Sequence, residues 1–470
     1  MSRYTSATEA DRREMLAAIG ADSVDELFAE IPADLRLGRE LDLPGGLSEP
    51  EAFEHLAALA ARNADADSEV CFIGAGMYDH YVPAIVDAIT QRSEFLTPYT
   101  PYQPEVSQGG LQAMFEFQTA ISELTGLPIA NASLYEGPSS VASAAYLAIG
   151  AKRRRKLVVS RGVHPHSRAT LATYARGFGA EVVEVGLDGG LTDAAELGAA
   201  LDDDTAAVFV QNPNFLGAVE DLDALAEAAH GAGALAISAV DPIALSILRP
   251  PGECGIDIAV GEGQPLGNRL DYGGPSFGFF AATDEHLRRM PGRIAGETTD
   301  VDGRRGFVLA LQTREQHIRR EKATHNICTS QALNALAGVV YLAWLGKRGF
   351  VELGELLVRR TAYARERLAG IDGVEPLHEA PVVREFAVSL DADVDAVLDR
   401  LADDGIAGGY PLGREYPEYR DGLLIALTER RTREDIDRLA DSLARAIEAS
   451  SVELSTPEVE NSTLAGEVAR

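Results

Sequence analysis

Lysine is scarce in this 470-residue chain, occurring only at Lys152, Lys156, Lys322 and Lys347. The 73 acidic residues outnumber the 42 basic ones and give a formal net charge of −31. A surface with so few cations excludes nucleic acid and anionic membranes as main partners. Acidic residues lie along the whole chain, which is typical of proteins adapted to high salt, where screening weakens self-repulsion. We therefore predict a halophilic protein, with an ordinary acidic protein as the alternative.

Cysteines and long apolar runs are also few. Cys71, Cys254 and Cys328 are far apart and form no CxxC pair, so the sequence predicts neither a disulfide framework nor a structural metal site. The longest strongly apolar run, Leu333–Gly346, is shorter than the roughly 20 residues that a membrane span needs. The N-terminus lacks the apolar core of a signal peptide. We expect a soluble, cytoplasmic protein without a membrane partner.

Short apolar runs dominate the middle of the chain, separated by helical patterns. The runs are KLVVS (156–160), EVVEVG (181–186), AAVFVQ (206–211), ALAISAV (234–240), DIAVG (257–261) and FGFFA (277–281). Such runs indicate a mostly parallel sheet with helices on both faces. Ser48 and Glu51 form a capping box, which predicts a helix from about Glu49 to Asn63.

These patterns predict an α/β protein. We divide the chain into an N-terminal helical arm (1–68), a large α/β domain (69–306), a helical connection with a small α+β C-terminal domain (307–450) and a disordered acidic tail (451–470). The pattern after Phe307 predicts helix as far as about Ala369. The arrangement resembles the aspartate-aminotransferase type of pyridoxal phosphate (PLP)-dependent transferase fold, an analogy that by itself does not establish function.

A stiff loop precedes the helix pattern that starts near Gly109. Its core, TPYTPYQPE (97–105), holds three prolines, which prevent a helix and keep the chain extended. Aromatic and polar side chains on such a loop could form the wall of a pocket, or they could simply pack as an ordinary loop. The candidate residues are Arg92, Tyr99, Tyr102, Gln103, Glu105 and Gln108.

A second group of candidates matches the places where this fold keeps its cofactor. Ser133, Gly137 and Ser139 belong to a turn before a helix, whose N–H groups could hold a phosphate or form a plain N-cap. His164 could stack on a pyridine ring, and Asp241 could face the pyridine nitrogen. Both could equally be polar residues at loop ends. Where the fold places its cofactor-binding lysine, this chain has Gln264, followed by Pro265.

A charged stretch, LQTREQHIRREKATHNICT (311–329), predicts a helix and loop with an anion-binding or inter-subunit surface. Its candidates are Arg314, His317, Arg319, Arg320 and Lys322. A solvated charged helix is the alternative. His317 and His325 lack a third ligand at metal-binding spacing, and the sequence predicts no metal site.

Several long segments are similar to the alpha subunit of the two-subunit glycine-decarboxylase P-proteins. They are FIGAGMYDHYVP, RSEFLTPYTPYQPEVSQGGLQAMFEFQ, QNPNFLGAVED, PPGECGIDIAVGEGQPLG, MPGRIAGETTDVDGRRGFVLALQTREQHIRREKATHNICT and NALAGVVYLAWLGKRG. The resemblance runs from about Ile31 to Glu448. The chain departs from the family pattern at Glu136, Pro138, His325 and Ser330 and in the acidic tail.

The resemblance implies a role in the glycine cleavage system. Together with a beta subunit in an α2β2 complex, the chain would bind glycine through PLP, release CO2 and transfer the aminomethyl group to the lipoyl arm of H-protein, with T-protein and L-protein completing the system. The beta subunit would hold PLP covalently, and Tyr99, Tyr102, Gln103 and Glu105 would line its pocket across the interface. Two alternatives are an autonomous PLP enzyme that uses Lys322 and a non-catalytic scaffold or regulator.

Overall fold

A computed structural model describes residues 6–65, 68–274, 276–323 and 330–455. The helices are α1 (Glu9–Ile19), α2 (Glu49–Ala60), α3 (Ala84–Thr90), α4 (Ser93–Leu96), α5 (Gln108–Thr125), α6 (Gly137–Lys152), α7 (Pro165–Phe178), α8 (Ala194–Ala200), α9 (Leu222–Gly231), α10 (Gln316–Arg319), α11 (Ala332–Ala369), α12 (Val394–Asp403) and α13 (Arg433–Ser455). The strands are β1 (Val70–Cys71), β2 (Ile129–Ala130), β3 (Lys156–Ser160), β4 (Glu181–Val185), β5 (Leu187–Asp188), β6 (Leu191–Thr192), β7 (Thr205–Asn212), β8 (Leu235–Val240), β9 (Ile258–Glu262), β10 (Gly278–Ala282), β11 (Ile294–Thr299), β12 (Arg305–Ala310), β13 (Val374–Pro376), β14 (Glu385–Leu390), β15 (Ile406–Ala407), β16 (Tyr410–Pro411) and β17 (Gly422–Ala426).

The chain divides into two compact units, Met1–Ala64 and Asp65–Arg470. The first unit contains α1 and α2. The capping box of Ser48 and Glu51 is present and starts α2 as predicted, although the helix ends at Ala60 rather than near Asn63. None of the described residues of this unit is buried, so its helices form without a hydrophobic core of their own.

A seven-stranded sheet organises the second unit. Its strand order is β2-β10-β9-β8-β7-β3-β4, and every neighbouring pair is parallel except the two that involve β10. The predicted mostly parallel sheet is therefore confirmed. Side chains alternate between its faces. Leu157 and Val159 of β3 join a core with α6 and α7, whereas Val158 joins a core with α8 and α9.

The smaller C-terminal part is an antiparallel sheet, ordered β13-β14-β17-β16, that packs on α12 and α13. Strand β1 pairs with β15 through Val70 and Ile406, so the predicted start of the large domain lies beside the small one. Helix α13 continues to Ser455 and thus enters the predicted tail. Residues 456–470 lie outside the described residues, as does His325.

The segment after residue 293 corrects a prediction. Strands β11 and β12 form an antiparallel hairpin, so the helix expected from Phe307 is wrong at its start. Phe307 and Leu309 alternate with more exposed neighbours and pack against Leu111, which is the period of a strand. Among the described residues, the next helix longer than four residues is α11, which departs from helical geometry at Gly346.

Candidate functional site

A cavity of about 560 Å³ lies at the carboxyl ends of β7, β8 and β9. This edge is where open α/β sheets bind their ligands. Gln211 and Glu262 lie at the ends of β7 and β9, and Asp241 directly follows β8. The small domain contributes Glu385, the first residue of β14, and Arg384, which directly precedes it. The cavity therefore lies between the large sheet and the small domain.

A tight turn with the sequence GAGM forms one wall. A Cβ atom on Gly74 would lie 2.2 Å from Oε1 of Glu385, and one on Gly76, whose φ is +96°, would lie 2.8 Å from Nε2 of His164. The backbone N–H of Ala75 donates to Glu385 over 2.7 Å. The two glycines thus let the backbone approach a carboxylate and an imidazole closely. They serve packing rather than dinucleotide binding.

His164 lines the cavity beside this turn. Its Nε2 lies 2.8 Å from the carbonyl oxygen of Ala75, and its Nδ1 accepts from the backbone N–H of His166 over 3.1 Å. A carbonyl can only accept, so the proton resides on Nε2. Burial lowers the pKa of His164 to about 4, and the imidazole is neutral at physiological pH. Phe215 packs against it edge-on, with ring centroids 4.8 Å apart.

Arg384 is the central cation of the cavity and is only 2% exposed. Its Nε donates to Asp241 over 2.6 Å, and its Nη1 contacts Nε2 of His80. The guanidinium also lies over the ring of Tyr78, 3.4 Å from the ring centroid. His80 in turn contacts Glu429 through Nδ1 over 2.6 Å. The carboxylate of Asp241, expected to face a pyridine nitrogen, is thus already paired with a guanidinium.

Glu385 is the neighbouring buried acid. Burial raises its pKa to about 7, despite hydrogen bonds from Ala75 and from the hydroxyl of Tyr78, which is 2.7 Å away. The same burial and the charge of Glu385 raise the pKa of Tyr78 well above its ordinary value. Near neutral pH the Glu385 carboxyl is therefore divided between its protonated and ionised forms.

The N-terminus of α6, where a cofactor phosphate was expected, is occupied by carboxylates. Glu262 accepts from the backbone N–H of Gly137 over 3.0 Å, and Glu136 caps the helix by accepting from the N–H of Ser139 over 2.9 Å. Burial raises the pKa of Glu262, and the charge of Glu136 adds to this effect. Two acids at the helix start satisfy the N–H groups that would otherwise bind an anion, and they repel phosphate.

Gln264 is fully buried, and both the oxygen and the nitrogen of its side-chain amide hydrogen-bond to backbone groups. Its Oε1 accepts from the N–H of Tyr78 over 2.9 Å, and its Nε2 donates to the carbonyls of Tyr78 and Asn268. It does not line the cavity, and neither does any of the four lysines. The residue at the lysine's place therefore holds the turn around Tyr78 instead of presenting an amine.

These features do not fit PLP. A cofactor would need an amine to hold it, a helix start free to bind phosphate and a carboxylate free to face its ring nitrogen. In this chain those three places carry Gln264, Glu262 and an Asp241 already paired with Arg384.

The second predicted group is thus brought together only in part. Gly137, His164 and Asp241 line the cavity, whereas Ser133, Ser139 and Gln264 do not. Sequence reasoning missed Glu262, Arg384 and Glu385. One signal was available, because the charged pair Arg384–Glu385 directly opens an otherwise apolar strand, EFAVSL, and buried charges seldom occur without a partner.

A separate polar cluster unites the stiff loop with the charged stretch. The hydroxyl of Tyr102 donates to Glu315 over 3.1 Å and accepts from Nη2 of Arg293 over 3.2 Å. Arg293 lies over the Tyr102 ring, and His317 meets that ring edge-on. Arg293 is only 5% exposed, and it was not singled out from the sequence.

The other predicted interface residues differ in their surroundings. Tyr99 is 71% exposed and Tyr102 45% exposed. Gln108 bonds the backbone of Phe307 on β12 through both ends of its amide. Arg314 is turned inward, contacting the carbonyls of Met290 and Gly292. Gln108 is also exposed, as are the remaining candidates, which are Arg92, Gln103, Glu105, His317, Arg319, Arg320 and Lys322.

The expected charged helix is broken up. Within the described part of this stretch, residues 311–323, only Gln316–Arg319 is α-helical, between two 3₁₀ turns, and Arg320 has a left-handed φ of 54°. The predicted helix is therefore limited to one short turn among these residues, and residues 324–329 of the predicted loop lie outside the described residues. Within the described ranges, no group of three or more His, Cys, Asp or Glu side chains is placed to hold a metal ion. In the same ranges, no helix has the length and apolar character to cross a bilayer.

Comparison with known proteins places this arrangement in a family. The family model of the glycine cleavage system P-protein matches residues 2–443. A probable glycine dehydrogenase (decarboxylating) subunit 1 of Carboxydothermus hydrogenoformans is 52% identical over 94% of this chain and 99% of its own. The corresponding protein of Desulforamulus reducens is 50% identical over 93% of this chain and 98% of its own.

Solved structures agree with the sequence matches. A crystal structure of glycine decarboxylase (P-protein) of the glycine cleavage system, in inhibitor-bound form, superimposes with a TM-score of 0.87 at 46% identity, over 95% of this chain and 100% of that one. A sphingosine-1-phosphate lyase of Burkholderia pseudomallei shares the fold alone, with a TM-score of 0.66 at 16% identity. The expected PLP-dependent transferase fold is confirmed, and the chain belongs to the glycine cleavage system P-protein family.

Proposed function

We propose that this chain is the alpha subunit of a glycine-decarboxylating complex and is inactive by itself. Its relatives carry the name subunit 1, which implies a partner subunit, and their PLP-dependent fold supports PLP in the complex. With a beta subunit in an α2β2 assembly, the complex takes glycine, releases CO2 and passes the aminomethyl group to the lipoyl arm of H-protein. T-protein and L-protein act on the later steps.

One observation supports the assignment of PLP to the partner subunit. The cavity of this chain offers no lysine, and Gln264 at the lysine's place is bound on both sides to backbone. We therefore assign covalent PLP to the beta subunit. When bound there, PLP supplies the electron sink for the carbanion left by loss of CO2. Of the two alternatives, an autonomous enzyme that uses Lys322 is disfavoured because that side chain is exposed and outside the cavity.

This chain's contribution to chemistry lies on its stiff loop. Tyr99 and Tyr102 expose their rings, and Arg293 and Glu315 fix the Tyr102 hydroxyl. We propose that these two tyrosines, with Gln103 and Glu105, line the beta-subunit pocket. There they would exclude water from the reacting groups and orient glycine. The exposed Arg319, Arg320 and Lys322 extend the same contact surface.

The experiment is reconstitution. The chain is produced alone and together with the candidate beta subunit, and glycine-dependent exchange of labelled CO2 is measured with lipoylated H-protein. We expect exchange only when both subunits are present. The chain alone, incubated with PLP and borohydride, should yield no trapped adduct.

Two outcomes would contradict the proposal. A borohydride adduct on any of the four lysines would make the chain a cofactor-binding enzyme. Full exchange by the beta subunit without this chain would favour the second alternative, a non-catalytic scaffold or regulator.

The acidic surface leads to a further part of the proposal. We infer that the complex works in a cytosol at high salt, since a net charge of −31 is best tolerated where ions screen it.

A further inference from the structure

The cavity contains a cation with an unused donor. Arg384 directs Nε to Asp241 and Nη1 to His80, and its Nη2 has no hydrogen-bond partner among the described residues. The side chain is 2% exposed. A buried guanidinium N–H without an acceptor is unfavourable. A ligand that brings an acceptor, best of all a carboxylate, would remove this cost.

A second part of the same cavity is negative. Glu136 and Glu262 both line it, at the start of α6. Glu136 accepts the backbone N–H of Ser139, and Glu262 accepts those of Gly137 and Gln264 and the hydroxyl of Ser276. Burial, and then the charge of Glu136, raises the pKa of Glu262. Two carboxylates this close to each other attract a cation. The positive counterpart available inside the cavity, Arg384, is already bound to Asp241.

We propose that this cavity binds a small zwitterion of the amino-acid class. The ligand's carboxylate accepts from Arg384, and its ammonium group lies at Glu136 and Glu262. No covalent bond forms, because no lysine lines the cavity. The site is separate from the one that the proposed function assigns to the beta subunit, so it needs neither the partner nor PLP.

Other ligand classes match only half of the cavity. A phosphorylated ligand would meet Glu262 and Glu136 at the helix N-terminus that normally attracts phosphate. A simple anion would leave the two acids without a cation, and a simple amine would leave Nη2 of Arg384 without an acceptor. Only a zwitterion supplies both an acceptor for Nη2 of Arg384 and a cation for Glu136 and Glu262.

The test uses the purified full-length chain without a partner, at a salt concentration that keeps it folded. Glycine, the smallest such zwitterion, is titrated by calorimetry or ligand-observed NMR, and acetate, methylamine, inorganic phosphate and PLP are titrated in parallel. We expect saturable glycine binding. Acetate and methylamine should each bind at least about tenfold more weakly, because each lacks one charge-assisted contact.

Matched variants locate the site. Glu136→Gln removes the charge but keeps an oxygen that can cap α6, and the residue is only half-buried, so the fold should survive. It should weaken glycine binding about tenfold. Glu123→Gln, on the exposed side of α5, should change nothing. Arg384→Lys should abolish binding, and circular dichroism shows whether that variant remains folded.

The proposal is overturned by any of three results. These are no saturable glycine binding up to roughly 100 mM, acetate, phosphate or PLP binding as tightly as glycine, or unchanged glycine binding by Glu136→Gln. Because no partner or H-protein is present, none of these outcomes depends on whether the complex decarboxylates glycine.

Discussion

Glu385 shows how a single buried carboxyl can make stability depend on pH. Burial raises its pKa to about 7 from an ordinary value of 4.5, so folding favours the protonated form. The protonated carboxyl therefore stabilises the folded state fully below pH 4.5, the ordinary pKa, and this stabilisation is lost as the pH rises through about 7. Wild-type stability should therefore fall across this window through Glu385.

Replacing Glu385 with Gln should remove this dependence, since an amide resembles the protonated acid. The free energy of unfolding of the variant minus that of wild type should increase from about pH 4.5 to pH 7, by at most about 3 kcal/mol. Urea titrations of both proteins at several pH values measure it. Glu123→Gln serves as the control. A constant difference across the window would show that Glu385 does not titrate there.

Tyr102 tests the proposed pocket wall. Tyr99→Phe or Tyr102→Phe should lower glycine–CO2 exchange of the reconstituted complex at least about tenfold, a threshold below the usual effect of a hydrogen bond lost from a developing charge. The prolines of the loop should preserve its shape. Assembly on a sizing column and the melting point should change little. For Tyr102→Phe, the lost contacts to Arg293 and Glu315 should cost about 1 kcal/mol of stability, which lowers the melting point of a large chain by no more than about 4 °C.

Tyr174→Phe is the matched control, because this exposed tyrosine lies on α7, remote in sequence from the loop. It should keep wild-type exchange. If Tyr99→Phe and Tyr102→Phe also keep it, the two tyrosines are ordinary packing residues of the loop.

Single residues also mark the limit of sequence reasoning. Asp241 and His164 follow strands and could be placed at the sheet edge from the pattern alone. The partners of these residues could not be predicted. Arg384, for example, lies 143 positions from Asp241, and only the packing of the small domain on the large sheet brings the two together. The same holds for Arg293 and Tyr102, which are 191 positions apart.

At the scale of elements, the strands of the large sheet were predictable because buried parallel strands appear as short apolar runs. The hairpin β11–β12 was not, since RGFVLA is followed by a charged stretch that suggested helix. Only the packing of Phe307 and Leu309 on Leu111 shows that this segment has the two-residue period of a strand and not the period of a helix. The turn at Gly74 also depends on residues distant in sequence, because Glu385 of β14 and Ala426 of β17 leave no room for a Cβ atom there.

Gly74→Ala should therefore destabilise the chain by about 1–3 kcal/mol, since the new methyl would lie 2.4 Å from Cβ of Ala426. Gly150→Ala provides the contrast. Gly150 lies inside α6, and a Cβ added there would have no neighbouring atom within 4 Å, so the change should stabilise by about 0.5–1 kcal/mol. Thermal unfolding of both variants measures the pair. Equal melting points for the two variants would show that the turn accommodates the added methyl group without loss of stability.

At the scale of the whole molecule, the net charge of −31 leads to a prediction about salt. We predict that both the fold and the complex weaken below about 1 M monovalent salt, where repulsion between acidic residues is less screened. Melting points and sizing-column profiles across a KCl series measure this. A reversed-charge set of surface variants, with exposed Glu changed to Lys, should need less salt. Full activity of the natural complex in dilute buffer would refute the adaptation.

The pairing of Arg384 with Asp241 has an evolutionary consequence. A lysine introduced in place of Gln264 would break the amide's contacts with Tyr78 and Asn268, yet Arg384 would still hold Asp241 and Glu262 would still cap α6. If the partner holds PLP, as proposed, turning this chain into an independent catalyst would thus require several substitutions together. The contacts of Gln264, Asp241 and Glu262 thus prevent any single substitution from creating a cofactor site in this chain.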